Sequence, residues 1–260
     1  MEWKEKLPQG QQIAKTAIAF SNGATNKLAD EEMIFELERQ RRNVSFDEEI
    51  EYNYDEANLN IDKFITDFKR YTDRVLKYQD LINLKMYKQE NGKLYPTRAA
   101  ILLSDESNFF EYAKIKCARF KGTTVEEFID SKEFKGPLYE QVENAVNFAK
   151  MYIARNGVIE DLQRKDTYEI PIVAIREAIV NAVVHRDYSI SGSDVTVAIF
   201  DDRIEITSPG VLPKSLSIED IKKGRSEIRN RVLARVFKEM NLIEQWGTGI
   251  QRIYQRTWFN

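Results

Sequence analysis

Arg176-Glu177-Ala178-Ile179-Val180-Asn181-Ala182-Val183-Val184-His185-Arg186-Asp187-Tyr188 decides how the second half of the chain folds. Within it Glu177, Asn181 and His185 recur at every fourth position, so at about 100° per residue they form one polar row along a helix. Ile172, Ile175, Ile179 and Val183 cluster on nearly the opposite side. This spacing predicts a helix from Pro171 to Arg186, anchored on a sheet by its isoleucines and turning a carboxylate, an amide and an imidazole toward whatever lies above. Polar rows of this kind are common on solvated helices, so a surface helix with incidental polar residues competes with a binding site, and the neighbouring segments decide between them.

Downstream, Asp194–Phe200 and Arg203–Thr207 alternate as two strands around the turn residues Asp201 and Asp202. Ser208-Pro209-Gly210 then turns the chain where a base could lie against exposed backbone. Ser217-Ile218-Glu219-Asp220 has the form of a capping box, and Arg229–Met240 is amphipathic. Gly247-Thr248-Gly249 directly precedes the periodic Ile250, Ile253 and Tyr254, which places the glycines at a helix N-terminus. Backbone N–H groups there can hold phosphate, although a loop glycine pair is the commoner meaning of so short a motif.

Upstream, Gly136-Pro137 opens a helix striped by Leu138, Val142, Ala145, Val146, Ala149 and Ile153 and ended by Asn156-Gly157. Ala99–Leu103 and Lys114–Phe120 read as strands. Phe64, Phe68, Tyr71, Val75, Leu76 and Tyr78 suit one or two helices between Ile61 and Gln89, before the break at Asn91-Gly92. Asp47–Asn60 is acidic and reads as a linker. Leu28–Arg42 is helical through Met33, Ile34 and Leu37. Its basic end, Arg39 to Arg42, is read first as a solvated last turn suited to the helix dipole, with phosphate binding as the alternative. Gln11–Phe20 is a further short helix, broken by Ser21-Asn22-Gly23. The order is that of an α+β protein without internal repeats.

The 260 residues carry 39 basic and 42 acidic side chains and a formal net charge of -3, so no global positive field advertises nucleic-acid binding and any DNA contact must be local. One cysteine, Cys117, and one histidine, His185, exclude a disulfide framework and a metal site built from several such ligands. No run approaches the roughly twenty apolar residues that span a bilayer, and the charged amino terminus is unlike a secretory signal. The expectation is a cytoplasmic protein with no membrane partner.

Taken together, Ala118-Arg119-Phe120-Lys121-Gly122-Thr123, Phe134-Lys135-Gly136-Pro137-Leu138, the Arg176–Tyr188 string, Asp202-Arg203-Ile204-Glu205-Ile206, Ser208-Pro209-Gly210, Arg229-Asn230 and Gly247-Thr248-Gly249-Ile250 resemble a known family. It comprises transcriptional regulators often labelled RecG-related, with a Schlafen AlbA-like amino-terminal domain and an ATPase domain of the gyrase, histidine-kinase and MutL (GHKL) type. The resemblance implies a GHKL-like α/β sandwich over residues 96–260, preceded by a helical linker domain over 46–95 and a partial AlbA-like domain over 1–45. The middle of that first domain is missing near Ala24 and Thr25, between Ala19-Phe20-Ser21-Asn22-Gly23 and Thr25-Asn26.

The resemblance further implies binding of ATP and Mg²⁺, with weak Mg²⁺-dependent hydrolysis as the activity. Glu177 would orient or deprotonate the attacking water, and Asn181 would ligate the metal that bridges the phosphates. Gly247, Thr248 and Gly249 would cradle phosphate, with Ser208 and Gly210 at the base and His185 and Arg186 nearby. Arg186 could pair with phosphate or with Asp187. The implied protein is a nucleotide-binding, DNA-contacting homodimer. Where the family's ancestor uses an aspartate for the adenine amino group, this chain has Ser208, which leaves a non-catalytic interaction module with a vestigial fold as the competing reading. Helicase action is excluded by the missing Gly-x-x-x-x-Gly-Lys-Ser/Thr loop, and protein-kinase chemistry by the missing Asp-Phe-Gly. A nuclease would need clustered carboxylates in the amino-terminal domain, for which Glu2 is the candidate.

Overall fold

The computed structural model describes residues 31–153, 155–160, 163–168, 170–213, 216–223 and 225–243. The chain divides into two compact units, Met1–Phe46 and Asp47–Asn260. In the first, helix α1 (Glu31–Arg42) ends in a Schellman motif. Asn43 adopts a left-handed φ of 52°, its N–H bonds Gln40 O, and the N–H of Val44 bonds Arg39 O. Arg41 and Arg42 of the basic run are exposed, whereas Arg39 is buried with its guanidinium over the Phe46 ring. The expected helix at Gln11–Phe20 lies outside the described residues.

The second unit begins with the stretch expected to be a linker, and the structure corrects that expectation. Asp47 and Glu48 are buried, the N–H of Glu51 bonds Pro96 O, and the N–H of Arg98 bonds Glu49 O. The acidity that suggests an open connector serves burial against specific N–H groups instead. Helix α2 (Asp62–Thr72) buries Phe64 and Phe68, and α3 (Tyr78–Asn83) buries Leu81. The helical pattern was expected to run on to Gln89, but strand β1 (Tyr87–Glu90) starts there and pairs with β2 (Lys93–Pro96). Asn91 and Gly92 both take positive φ in the two-residue turn, as a tight hairpin requires.

Ala99–Leu103 is not a strand. It forms helix α4 (Arg98–Leu102), in which Ala99, Ala100, Ile101 and Leu102 are all buried; a short apolar run covered on every side carries no period from which to tell helix from strand. Strand β3 (Ile115–Phe120) follows as expected, and β4 (Phe128–Phe134) pairs antiparallel with it. Helix α5 (Leu138–Tyr152) opens after Gly136-Pro137 but stops at Tyr152. Asn156 and Gly157, expected to end it, lie inside β5 (Arg155–Glu160), which pairs with β6 (Gln163–Tyr168) in a separate hairpin.

Helix α6 (Ile172–Val184) leads to β7 (Val195–Ile199) and β8 (Ile204–Thr207), then to α7 (Ile218–Lys222) and α8 (Arg231–Glu239). Ser217 and Asp220 cap α7 reciprocally, as the capping-box reading expects. The main sheet has the order β4-β3-β7-β8, with β3 and β7 parallel and the other pairs antiparallel. Connecting parallel β3 to β7 takes a long crossover, which α5 and α6 supply. Val142, Val146 and Ala149 of α5, Ile175, Ile179 and Val183 of α6, and Ile115, Cys117, Val195 and Val197 of the strands form the buried core. The fold is mixed α+β. No helix among the described residues is long and apolar enough to cross a membrane.

Candidate functional site

Helix α6 separates its residues as the spacing predicts. Ile175, Ile179 and Val183 are buried and Ile172 is half-buried, while Glu177, Asn181 and His185 are half-buried on the polar side. The side-chain amide of Asn181 has no hydrogen-bond partner among the described residues, although its backbone carbonyl accepts from His185 N at 2.9 Å. His185 caps the helix C-terminus. Burial holds its imidazole below the ordinary value of 6.5, the Arg229 charge acts in the same direction, and a hydrogen bond with the Glu227 backbone partly opposes both. It is therefore a neutral ring at neutral pH.

Beyond His185, the same string turns from display to construction. Arg186 is 1% exposed. Its guanidinium lies between the rings of Tyr112 and Tyr188, 5.1 and 4.8 Å from their centroids, and donates to the carbonyls of Asp187, Ile190 and Ser193 at 2.9, 2.9 and 2.7 Å. Arg186 does not bond the carboxylate of Asp187, which accepts from Arg229 and, through its other oxygen, from Ser189 N and Oγ. Arg186 organises the loop that leads into β7.

Asp187 draws in two more segments. Its N–H donates to Pro209 O at 2.9 Å, and Gly210 lies so close that a Cβ there would stand 2.9 Å from Asp187 Cβ and 3.0 Å from Arg229 Nη1. Gly210 also has a φ of 123°, so both space and backbone exclude a side chain. Arg229 donates in addition to Val211 O. Asn230, fully buried, donates its amide to Val184 O and Arg186 O, both at 2.8 Å, and so satisfies carbonyls left over at the end of α6. Ser208 Oγ donates to Ala182 O at 2.6 Å. The hydroxyl proton is thereby committed, and toward any ligand this oxygen is left as an acceptor.

Helix α8 is capped from a distance. The fully buried Asp47 accepts from the N–H groups of Val232 and Leu233, each at 2.8 Å. Nothing local in the sequence could have disclosed this, since the partners lie 185 and 186 positions apart. Tyr112, whose hydroxyl donates to Tyr188 O at 3.0 Å, was missed for the same reason.

Glu177, Asn181, His185, Ser208 and Gly210 are thus all carried by α6 or by the turn that bonds to it. Gly247, Thr248 and Gly249 lie outside the described residues. No group of three or more His, Cys, Asp or Glu side chains that could hold a metal occurs among the described residues. The available donor is the Asn181 amide oxygen, a hard ligand of the kind that completes the shell of Mg²⁺ already bound to phosphates. An amide oxygen of this kind would suit a cation brought by a nucleotide.

An ATPase-like domain is supported by one comparison, a family match over part of the chain. Residues 192–259 match the family described as "Putative ATP-dependent DNA helicase recG C-terminal". That stretch takes in β7, β8, the Ser208–Gly210 turn and α8, and α6 stands just before it. No curated protein is matched. Among solved structures, the crystal structure of the DIP2311 protein from Corynebacterium diphtheriae is similar with a TM-score of 0.65 over 88% of this chain, at 19% sequence identity. The chain spans 46% of that protein's length, and the likeness is one of fold.

Proposed function

We propose that the second unit binds ATP together with Mg²⁺ on the polar face of α6, within a regulator that contacts DNA through its amino-terminal region. The observation that carries the nucleotide reading is the Asn181 amide, without a partner among the described residues, one helical turn beyond Glu177 and next to the ATPase-like stretch. A half-buried amide that no neighbouring side chain claims is open to a ligand, and its oxygen is of the kind a phosphate-bound cation takes. Mg²⁺, when bound, offsets phosphate charge. Asn181 holds it, and Glu177 orients a water and takes its proton. Ser208 accepts from the exocyclic amine of the base, a role its bond to Ala182 O leaves open. Gly247 and Gly249 are assigned to phosphate on the resemblance of their motif alone. The DNA-contacting part of the reading rests on the resemblance of the motifs alone.

A second reading, ligand binding without turnover, is favoured by Ser208, whose neutral hydroxyl holds a base more weakly than a carboxylate does. Thermal melting separates these possibilities. Millimolar Mg-ATP is expected to raise the Tm of the full chain, and Asn181→Ala to abolish that rise. An unchanged curve for the wild-type chain would overturn the nucleotide reading. Phosphate release lost in Glu177→Gln, with the Tm response kept, assigns turnover to that carboxylate; no release from either protein assigns a binding module.

A further inference from the structure

We infer that Asp47 positions the end of α6, and with it the face proposed for nucleotide, by relieving Asn230 of the task of capping α8; the part that concerns nucleotide rests on the reading above. Asn230 is the N-cap residue of α8, with extended backbone at φ −112° and ψ 94°. Asparagine is among the side chains best suited to that position, where its oxygen accepts from the second or third N–H of the helix. Asn230 makes no such bond. The N–H groups of Val232 and Leu233, which hold those two places, both go to one oxygen of Asp47 at 2.8 Å.

The amide of Asn230 is spent on α6 instead. Its nitrogen donates to Val184 O and Arg186 O, each at 2.8 Å, and because both acceptors are carbonyls the orientation of the amide is fixed. In consequence Asn230 Oδ1 is buried with no partner among the described residues. Buried acceptors are ordinarily satisfied, and this one stands at the N-cap of a helix whose N–H groups it could take. The carboxylate of Asp47 takes them instead, being charged and so the stronger acceptor at a helix N-terminus.

Two residues thus compete for one pair of donors, and the outcome decides what holds α6. With Asp47 seated, Asn230 binds the last carbonyls of α6, on either side of His185 in the chain and one turn beyond Asn181. With Asp47 withdrawn, Asn230 Oδ1 gains its missing bond by turning to Val232 and Leu233, and the α6 carbonyls lose their donor. Asp47 is also the first residue of the second unit, joined directly to Phe46 of the first. The seating of that junction and the geometry of the α6 end are therefore one equilibrium.

His185, the sole histidine, sits between the two residues whose carbonyls Asn230 holds, so its imidazole Cε1–H signal in the NMR spectrum of the full chain reads the exchange without any ligand. Asp47→Ala is expected to shift that signal from its wild-type position, and Asn230→Ala to shift it as well. Asp47→Asn, which keeps an oxygen for both N–H groups, is expected to leave it in place. Lost stability alone does not move the signal of the folded state. Asp47→Ala is also expected to reduce the rise in Tm with Mg-ATP, and Asp47→Asn to keep it. A His185 signal unmoved by Asp47→Ala overturns the exchange, and a moved signal with the full Mg-ATP rise overturns its link to the ligand face. A wild-type chain without any Mg-ATP rise defeats the nucleotide reading instead, and the His185 signal still decides the exchange. Should Asp47→Ala fail to fold, Asp47→Ser, whose oxygen stops one bond short of the two N–H groups, takes its place with the same expected outcomes.

Discussion

The two halves of one sequence string behave differently. From Glu177 to Asn181 the polar groups of α6 lie on a half-buried face, and the amide of Asn181 is left open. From Arg186 to Asp187 the polar groups turn inward and are bonded to the chain: guanidinium to four carbonyls and two rings, carboxylate to Arg229 and Ser189. The string is a single pattern in the sequence, yet its two halves differ in how far the chain itself engages their polar groups. The second half ties three remote segments, the 187–193 loop, the 208–211 turn and the 229–230 strap, to the end of α6. A ligand face keeps its shape when the backbone beneath it is fixed, and the inward half supplies that fixing.

Breaking the inward half is expected to have the largest effect. Arg186→Leu takes the donor from the carbonyls of Asp187, Tyr112, Ile190 and Ser193 and removes both ring contacts. It should cost about 3 kcal/mol or more, a fall in Tm on the order of 10 °C by thermal melting. Gly210→Ala comes next. The added Cβ meets Asp187 and the backbone is held at positive φ, for about 2 kcal/mol and a smaller fall. Both variants should still respond to Mg-ATP wherever they remain folded, because neither touches the open face. A Gly210→Ala protein of full stability that had lost the response would move Gly210 from scaffold to ligand contact. Asn181→Ala shows the reverse behaviour: a change in stability under about 0.5 kcal/mol, with the Mg-ATP response gone.

The division between the halves was only partly legible in the sequence. The row of Glu177, Asn181 and His185 follows from a 3.6-residue period, and α6 carries that period over its whole length. The strands Ile115–Phe120, Val195–Ile199 and Ile204–Thr207 alternate and were equally plain. α4 was misread because burial on every side erases periodicity. β4 was missed because it is exposed or half-exposed throughout and alternates in charge rather than in hydropathy. The inward role of Arg186 was hidden because its partners are backbone carbonyls and rings brought together only by folding. Asp47 and Asn230 were hidden for the same reason: each satisfies backbone groups of an element remote in sequence, and no spacing rule connects them.

His185 lies on the boundary between the halves and is expected to give the smallest effect. Its folded-state value is depressed below 6.5, so the unfolded chain binds the proton more readily. Stability from the neutral ring is full above about pH 6.5 and is lost as pH falls through that value toward the lower folded one. Carboxylates of ordinary affinity stay ionised down to about pH 5.5, so between pH 7.5 and 5.5, roughly, the sole histidine dominates the slope. Tm of the wild-type chain should therefore decline gently over that interval, and His185→Gln should flatten the decline. A slope that survives the substitution would mean that the imidazole is not desolvated as its position implies, and the C-terminal end of α6 would then belong to the open face rather than to the scaffold.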